Sequence, residues 1–173
     1  MTPAFASAPT DVATSSRSHQ LADRLERNAG ELLAFARSLT EEQWRMPVPG
    51  DGRPVGVVVD HVASVYPIEI ELAQLMASGA PIADVTWAGI AAMNAAHAAE
   101  RSGTSKEETL ARLQVNSARA AAAIRAMSEE DLSRAVTVSL YAGAELTSQF
   151  MLEDHAVRHS LHHLAKVRAM FKG

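Results

Sequence analysis

The chain has 173 residues, a net charge of −4 and no cysteine; at this length a domain buries about 70% of its unfolded surface and folds without staples. Composition rules out disulfides, thiolate metal sites and a cysteine nucleophile, which leaves histidine and carboxylate as ligands. The acidic balance gives no electrostatic case for nucleic acid or an anionic membrane as partner, and no run approaches the ~20 apolar residues of a membrane span.

Residues 1–16, MTPAFASAPTDVATSS, lack the basic and apolar regions of a signal peptide and read as a flexible extension before a single domain over 17–173, in a cytoplasmic protein. A first helix is expected from Ser18 to Leu39, because Leu21, Leu25, Leu32, Ala36 and Leu39 recur at helical spacing. TEEQW from Thr40 reads as a capped turn, and PVPGDGRP breaks the chain. The second helix is expected from Pro54 to Ser78, with Pro67 kinking it without ending it. A third runs from a cap at Asp84 to Arg101, before Gly103. SKEE at Ser105 is a capping-box pattern opening a helix to Met127, with a stripe of Leu110, Leu113, Ser117, Ala121 and Ile124. Ser128 starts another short turn, and Val136, Val138 and Leu140 alternate briefly as a strand would. The final helix is expected from Thr147 to the end. Long amphipathic helices with short connections point to an all-α fold, a helical bundle.

Four of the seven histidines, His155, His159, His162 and His163, fall within nine positions of that last helix. On a wheel of about 100° per residue, His159 and His163 sit inside the stripe of Leu152, Ala156, Leu164, Val167 and Met170, whereas His155 and His162 lie at its edge. Their i, i+4 spacing places two imidazoles on one face, close enough to grip one ion. His61 falls in the stripe of the second helix formed by Val57, Val58, Val65, Ile68, Leu72 and Leu75. A single core-facing histidine is more often a hydrogen-bonded structural residue than a ligand, so pairing with buried carbonyls or carboxylates stands beside the metal reading. Were the three to converge, they would leave an open coordination position, as catalytic sites do. That requires the second and last helices to be adjacent, with His61 within about 12 Å of His159. His19 and His97 have no partner in sequence. Glu153 and Asp154 are candidates for carboxylates that hydrogen-bond a ligand from behind. Asn94 and Arg101 share a face with Trp87 and Ala98 and are candidates for contacting a substrate, the other reading being an interhelical hydrogen bond and an exposed helix end.

Three segments, PVGVVVDHVAS, IAAMNAAHAAERSGTSKEETLARL and HSLHHLAKVR, occur in an order and spacing that resembles the DinB/YfiT-type (damage-inducible) metalloenzyme superfamily, over about residues 18–172. The resemblance implies a four-helix bundle with an unusual connection and one divalent metal ion on three residues, which map onto His61, His159 and His163. It also implies thiol-dependent S-transferase or isomerase chemistry, or a metal-dependent hydrolase, acting on a small-molecule substrate, with a homodimer as the assembly. A low-molecular-weight thiol would then be a co-substrate, compatible with a chain that has no cysteine of its own. Imidazole-only sites suit zinc, nickel or iron. The competing expectation is a stress-response bundle that binds metal or ligand without catalysis; a third is a structural dimer with packing histidines. No general base stands out in the sequence.

Overall fold

A computed structural model describes residues 16–171; the extension expected over residues 1–16 lies, Ser16 apart, outside them. Helix α1 (Arg17–Ser38) is capped by the Ser16 hydroxyl and buries Leu21, Leu25, Leu32 and Ala36, the face its sequence spacing selects. Helix α2 (Glu41–Arg45) carries a complete capping box between Thr40 and Gln43. Its Trp44 is buried against Gly56, where an added Cβ would run into the indole ring. Gly56→Ala is therefore expected to destabilise the protein by about 1–3 kcal/mol, read as a lower urea midpoint; an unchanged midpoint would mean that the indole can move aside.

Helix α3 (Val55–Ala77) passes through Pro67 unbroken. Pro67 has no N–H for the carbonyl four residues back, and that carbonyl, on Ala63, instead accepts from Asn116 Nδ2 at 2.8 Å. The stripe read from sequence holds in part: Val57, Val58 and Val65 are buried, but Ile68 and Leu75 are 41% and 43% exposed, and Val59, Val62, Tyr66, Ala73 and Met76 complete the core face. A helix apolar nearly all round offers more than one stripe, and Val65, Ile68 and Leu72 of the one chosen line a cavity. Helix α4 (Trp87–Glu100) starts later than expected, because Thr86 is its cap and Asp84 adopts a left-handed backbone conformation. None of its residues is buried. Its C-terminal end is tied down through Asp60, which is fully buried and accepts from His97 Nε2 (3.0 Å) and Thr109, with Arg112 and Arg101 beside it.

Helices α5 (Lys106–Arg125) and α6 (Glu129–Ser133) begin at Ser105 and Ser128 as the sequence indicates. The short alternation becomes a hairpin of β1 (Ala135–Val138) and β2 (Ala144–Thr147), paired antiparallel with Val136 opposite Leu146. Ile82 bonds to the backbone of Thr137 and Ser139 beside it, which carries the start of α4 over the hairpin. The C-terminal helix is capped by Thr147 and comprises α7 (Ser148–Met151), a π-helical segment Leu152–Val157, and α8 (Arg158–Met170). Both α1 and α3 pack on α5 and on the C-terminal helix, forming the four-helix bundle. Among the described residues no helix is long and apolar enough to cross a membrane.

Candidate metal centre

The register between α3 and the C-terminal helix is set by buried polar contacts. Ser148 Oγ donates to Ala73 O at 3.0 Å, and the Tyr66 and Ser160 hydroxyls bond to each other in the core. A hydroxyl pair buried without its partner costs about 1–3 kcal/mol per orphaned group, so a slipped register is disfavoured. This register puts His61 opposite His159 and His163. One potential ligand atom from each of the three lies within 4.8 Å of the others, and the His61 ring is centred 5.1 Å from that of His159 and 5.4 Å from that of His163. Nitrogens around a tetrahedral ion with bonds of 2.0–2.1 Å are about 3.3 Å apart. At most about 1.5 Å of side-chain closure separates the cluster from that geometry.

Two of the donors are held in the neutral form. Burial, followed by the neighbouring His159, pushes the His61 pKa down to about 3. Burial and then His159 and His61 push His163 to about 2. Neutral imidazoles keep their lone pairs at neutral pH, which a metal requires. His159 is turned by a carboxylate: its Nδ1 lies 2.6 Å from Glu69 Oε1, leaving Nε2 free. The three residues thus fit a divalent ion in number and spacing, with His61 and His163 kept neutral by burial.

Glu69 is the residue the sequence reading missed. It is only 6% exposed on a mostly apolar helix, two turns beyond His61, and that was the available signal. The two carboxylates considered instead point elsewhere: Glu153 pairs with Arg24 at 2.8 Å, and Asp154 accepts from Tyr141 Oη (2.9 Å) and pairs with Arg158 (3.0 Å). A carboxylate behind a ligating histidine is typically worth about 10–100-fold in metal affinity. Glu69→Ala is expected to weaken zinc binding by about that factor, measured by competition with a chromophoric chelator, and Glu69→Gln, which still accepts from Nδ1, by less. Equal affinity in Glu69→Ala would remove the orienting role.

The histidines stand at one wall of a cavity of about 600 Å³, whose apolar lining includes Val65, Leu72, Ile82, Val85, Ile90 and Leu140. Asn94 lines it, whereas its partner in the sequence reading, Arg101, is not among the lining residues and, at the C-cap of α4, lies 3.7 Å from Asp60. His162 is exposed, edge-on to His163. His155 is drawn to the cavity wall and bonds with Tyr141 Oη at 3.1 Å. The π segment accounts for this: its wider turn shifts His155 relative to a regular wheel, and the Val157 carbonyl at its end accepts from Asn28 Nδ2 at 2.8 Å. His97, without a partner in sequence, lies 5.8 Å from His61 ring to ring and bonds Asp60.

Two solved structures share this fold. YfiT from Bacillus subtilis, described as a probable metal-dependent hydrolase with an unusual four-helix bundle topology, matches with a TM-score of 0.71 and 20% identity over 94% of this chain and 90% of its own. The colibactin self-resistance protein ClbS, solved in complex with double-stranded DNA, matches with a TM-score of 0.70 and 17% identity over 93% of this chain and 99% of its own. A comparison with curated proteins finds no match. The ClbS complex overturns the exclusion of nucleic acid drawn from net charge, since a protein of this fold is found on DNA. Net charge sums over the whole surface, whereas a duplex meets only the local field; here Arg158, His162 and Lys166 recur one turn apart on the exposed side of α8. The family model of the DinB superfamily matches residues 24–167, most of the described bundle and all three clustered histidines, and the chain belongs to that superfamily.

Proposed function

We propose that the protein is a metal-dependent enzyme in which His61, His159 and His163 hold one divalent ion and a nucleophile, water or a low-molecular-weight thiol, attacks a small electrophile in the adjoining cavity. When bound, the ion would lower the pKa of that water or thiol and supply it as the anion. The observation that carries the reading is the convergence of three imidazoles, two of them buried and held neutral by that burial, at the wall of an apolar cavity. Packing alone does not favour filling two core positions with histidine. Glu69 orients His159, and the apolar walls keep water from the substrate's body.

The test begins with elemental analysis of protein purified without an affinity tag. Turnover of aryl esters and amides is then measured, followed by turnover of a thiol with an electrophile such as a chlorodinitrobenzene. Stoichiometric metal with ester hydrolysis in the absence of thiol selects the hydrolase; thiol-dependent turnover alone selects the transferase. Metal without either activity leaves a binding protein, and a metal-free chain refutes the proposal.

A further inference from the structure

Helix α4 carries an apolar face that is only lightly covered. Trp87, Ile90 and Met93 recur every three residues along it and line the cavity, as do Val65, Ile68 and Leu72 of α3. Trp87 and Met93 are nevertheless 60% and 43% exposed. Apolar surfaces facing one gap gain free energy by closing it, so a gap of about 600 Å³ has to be held open. The two ends of α4 are braced by polar contacts. At its C-terminal end His97 Nε2 lies 3.0 Å from the buried Asp60. Just before its N-terminal end, Ser139 Oγ donates to Val85 O at 2.8 Å and accepts from Val85 N at 3.1 Å, and Ile82 exchanges backbone bonds with Thr137 and Ser139. Between these braces none of the helix's residues is buried. The outcome is a preformed apolar slot, the common form of a small-molecule site.

We infer that the slot under α4 is a subsite for an uncharged aromatic group, the body of the molecule whose reactive end meets the histidines. Calling that molecule the substrate rests on the proposed enzyme reading; the subsite itself does not. Charge argues against an ionic occupant. On the lining Arg53 is paired with Asp51, Arg158 with Asp154, and Glu69 is bonded to His159. The remaining carboxylate, Asp84, is exposed ahead of α4 and would repel an anion. An ion at the histidines would attract one only at the reactive end. Aromatic character follows from the rings beside the slot. Trp87 meets Tyr141 edge-on with centroids 6.4 Å apart, and Tyr141 meets Phe150 edge-on at 5.6 Å. The rest of the indole is open, and a further ring stacked on it gains more than its buried area alone supplies.

The probe is 4-biphenylmethanol, with its saturated bicyclohexyl analogue as counterpart; neither carries a reactive electrophile, so binding is read apart from catalysis. Full-length protein is used as purified and after chelation, with metal content assayed separately, so that a failed metal reading does not decide the subsite. The chain has two tryptophans, and Trp44 is 3% exposed, so quenching of tryptophan emission by acrylamide reports on Trp87. Acrylamide is expected to quench the free protein readily, and 4-biphenylmethanol to shield it. By calorimetry, Trp87→Leu should weaken 4-biphenylmethanol about 2- to 10-fold, the size of one aromatic pair, and change the saturated analogue by less. Trp87 is largely exposed, so its replacement should leave the fold intact, which circular dichroism verifies; Trp87→Phe, which keeps a ring, should restore most of the loss. An indole shielded before any probe is added would mean that another surface, such as a second copy of the chain, covers α4. That result, no shielding by the probe, or an equal change for both probes in Trp87→Leu would overturn the inference.

Discussion

Replacing His159 or His163 by alanine is expected to abolish stoichiometric binding of a divalent ion, and replacing His61 likewise, while His162→Ala leaves most of it. The ion needs all three imidazoles because no other soft donor is at hand: the chain has no cysteine, and the group of described residues able to hold an ion is His61, His159 and His163. Removing one leaves two neutral nitrogens, which compete poorly with water and buffer for a metal. His162 neighbours His163 in sequence but is exposed at the rim of the cavity, outside the group of three that could hold an ion. The contrast tests geometry, since the two residues have the same chemistry and differ in direction by one helical step of about 100°. The measurement is metal content after dialysis against one equivalent of zinc, with circular dichroism to verify folding. If His162→Ala lost the ion and His163→Ala kept it, the direction of α8 would be misassigned.

Much of the fold was legible because local signals and tertiary structure agree. Thr40 with Gln43 and Ser128 with Asp131 form capping boxes where the sequence places helix starts. Alternating leucine and alanine on α1 matches its buried face. Agreement fails where several solutions are locally equivalent. Helix α3 is apolar on most sides, so a period of 3.6 residues cannot say which face meets the core and which meets a cavity. The hairpin rests on four residues per strand, too few for alternation to outweigh helix. The π segment is marked by neither proline nor glycine, and its geometry is settled by tertiary contacts such as Asn28 on Val157.

The site divides in the same way. His159 and His163 were legible because i, i+4 spacing within α8 is a local property that the upstream π segment does not disturb. His61 was legible because a histidine interrupts a valine-rich run. Glu69 was not, since it acts through a residue distant in sequence. It reaches His159 across 90 positions. Asp60, adjacent to His61, is marked by no local signal, yet it collects His97, Thr109 and two arginines and fastens the wall that α4 builds over the cavity.

Ion-free protein is expected to lose stability steeply between pH 7 and pH 5, before its carboxylates begin to titrate. The cause is burial of His61 and His163, which holds their pKa values at about 3 and about 2 in the folded chain, against about 6.5 unfolded. Below pH 6.5 the unfolded chain therefore binds protons that the folded chain refuses. Stability follows the difference in bound protons, rising with pH across that window and falling as pH drops through it. Each histidine contributes about 1.4 kcal/mol per pH unit once well below 6.5, and the two together about 3–4 kcal/mol between pH 7 and 5. His155 and His162, also lowered first by burial, act in the same direction. The carboxylates held below the usual carboxylate range by arginine or by a helix cap, Glu26, Asp51, Glu129 and Asp131, weaken the fold only in more acid solution. Urea unfolding at pH 7, 6 and 5 after chelation measures the slope, and His61→Gln should flatten it by up to half. A stability that stays level from pH 7 to 5 would mean that these rings reach water more readily than their burial implies, and an ion would then gain little from finding them neutral. A bound ion would steepen the same curve, because protons compete with it for the same lone pairs.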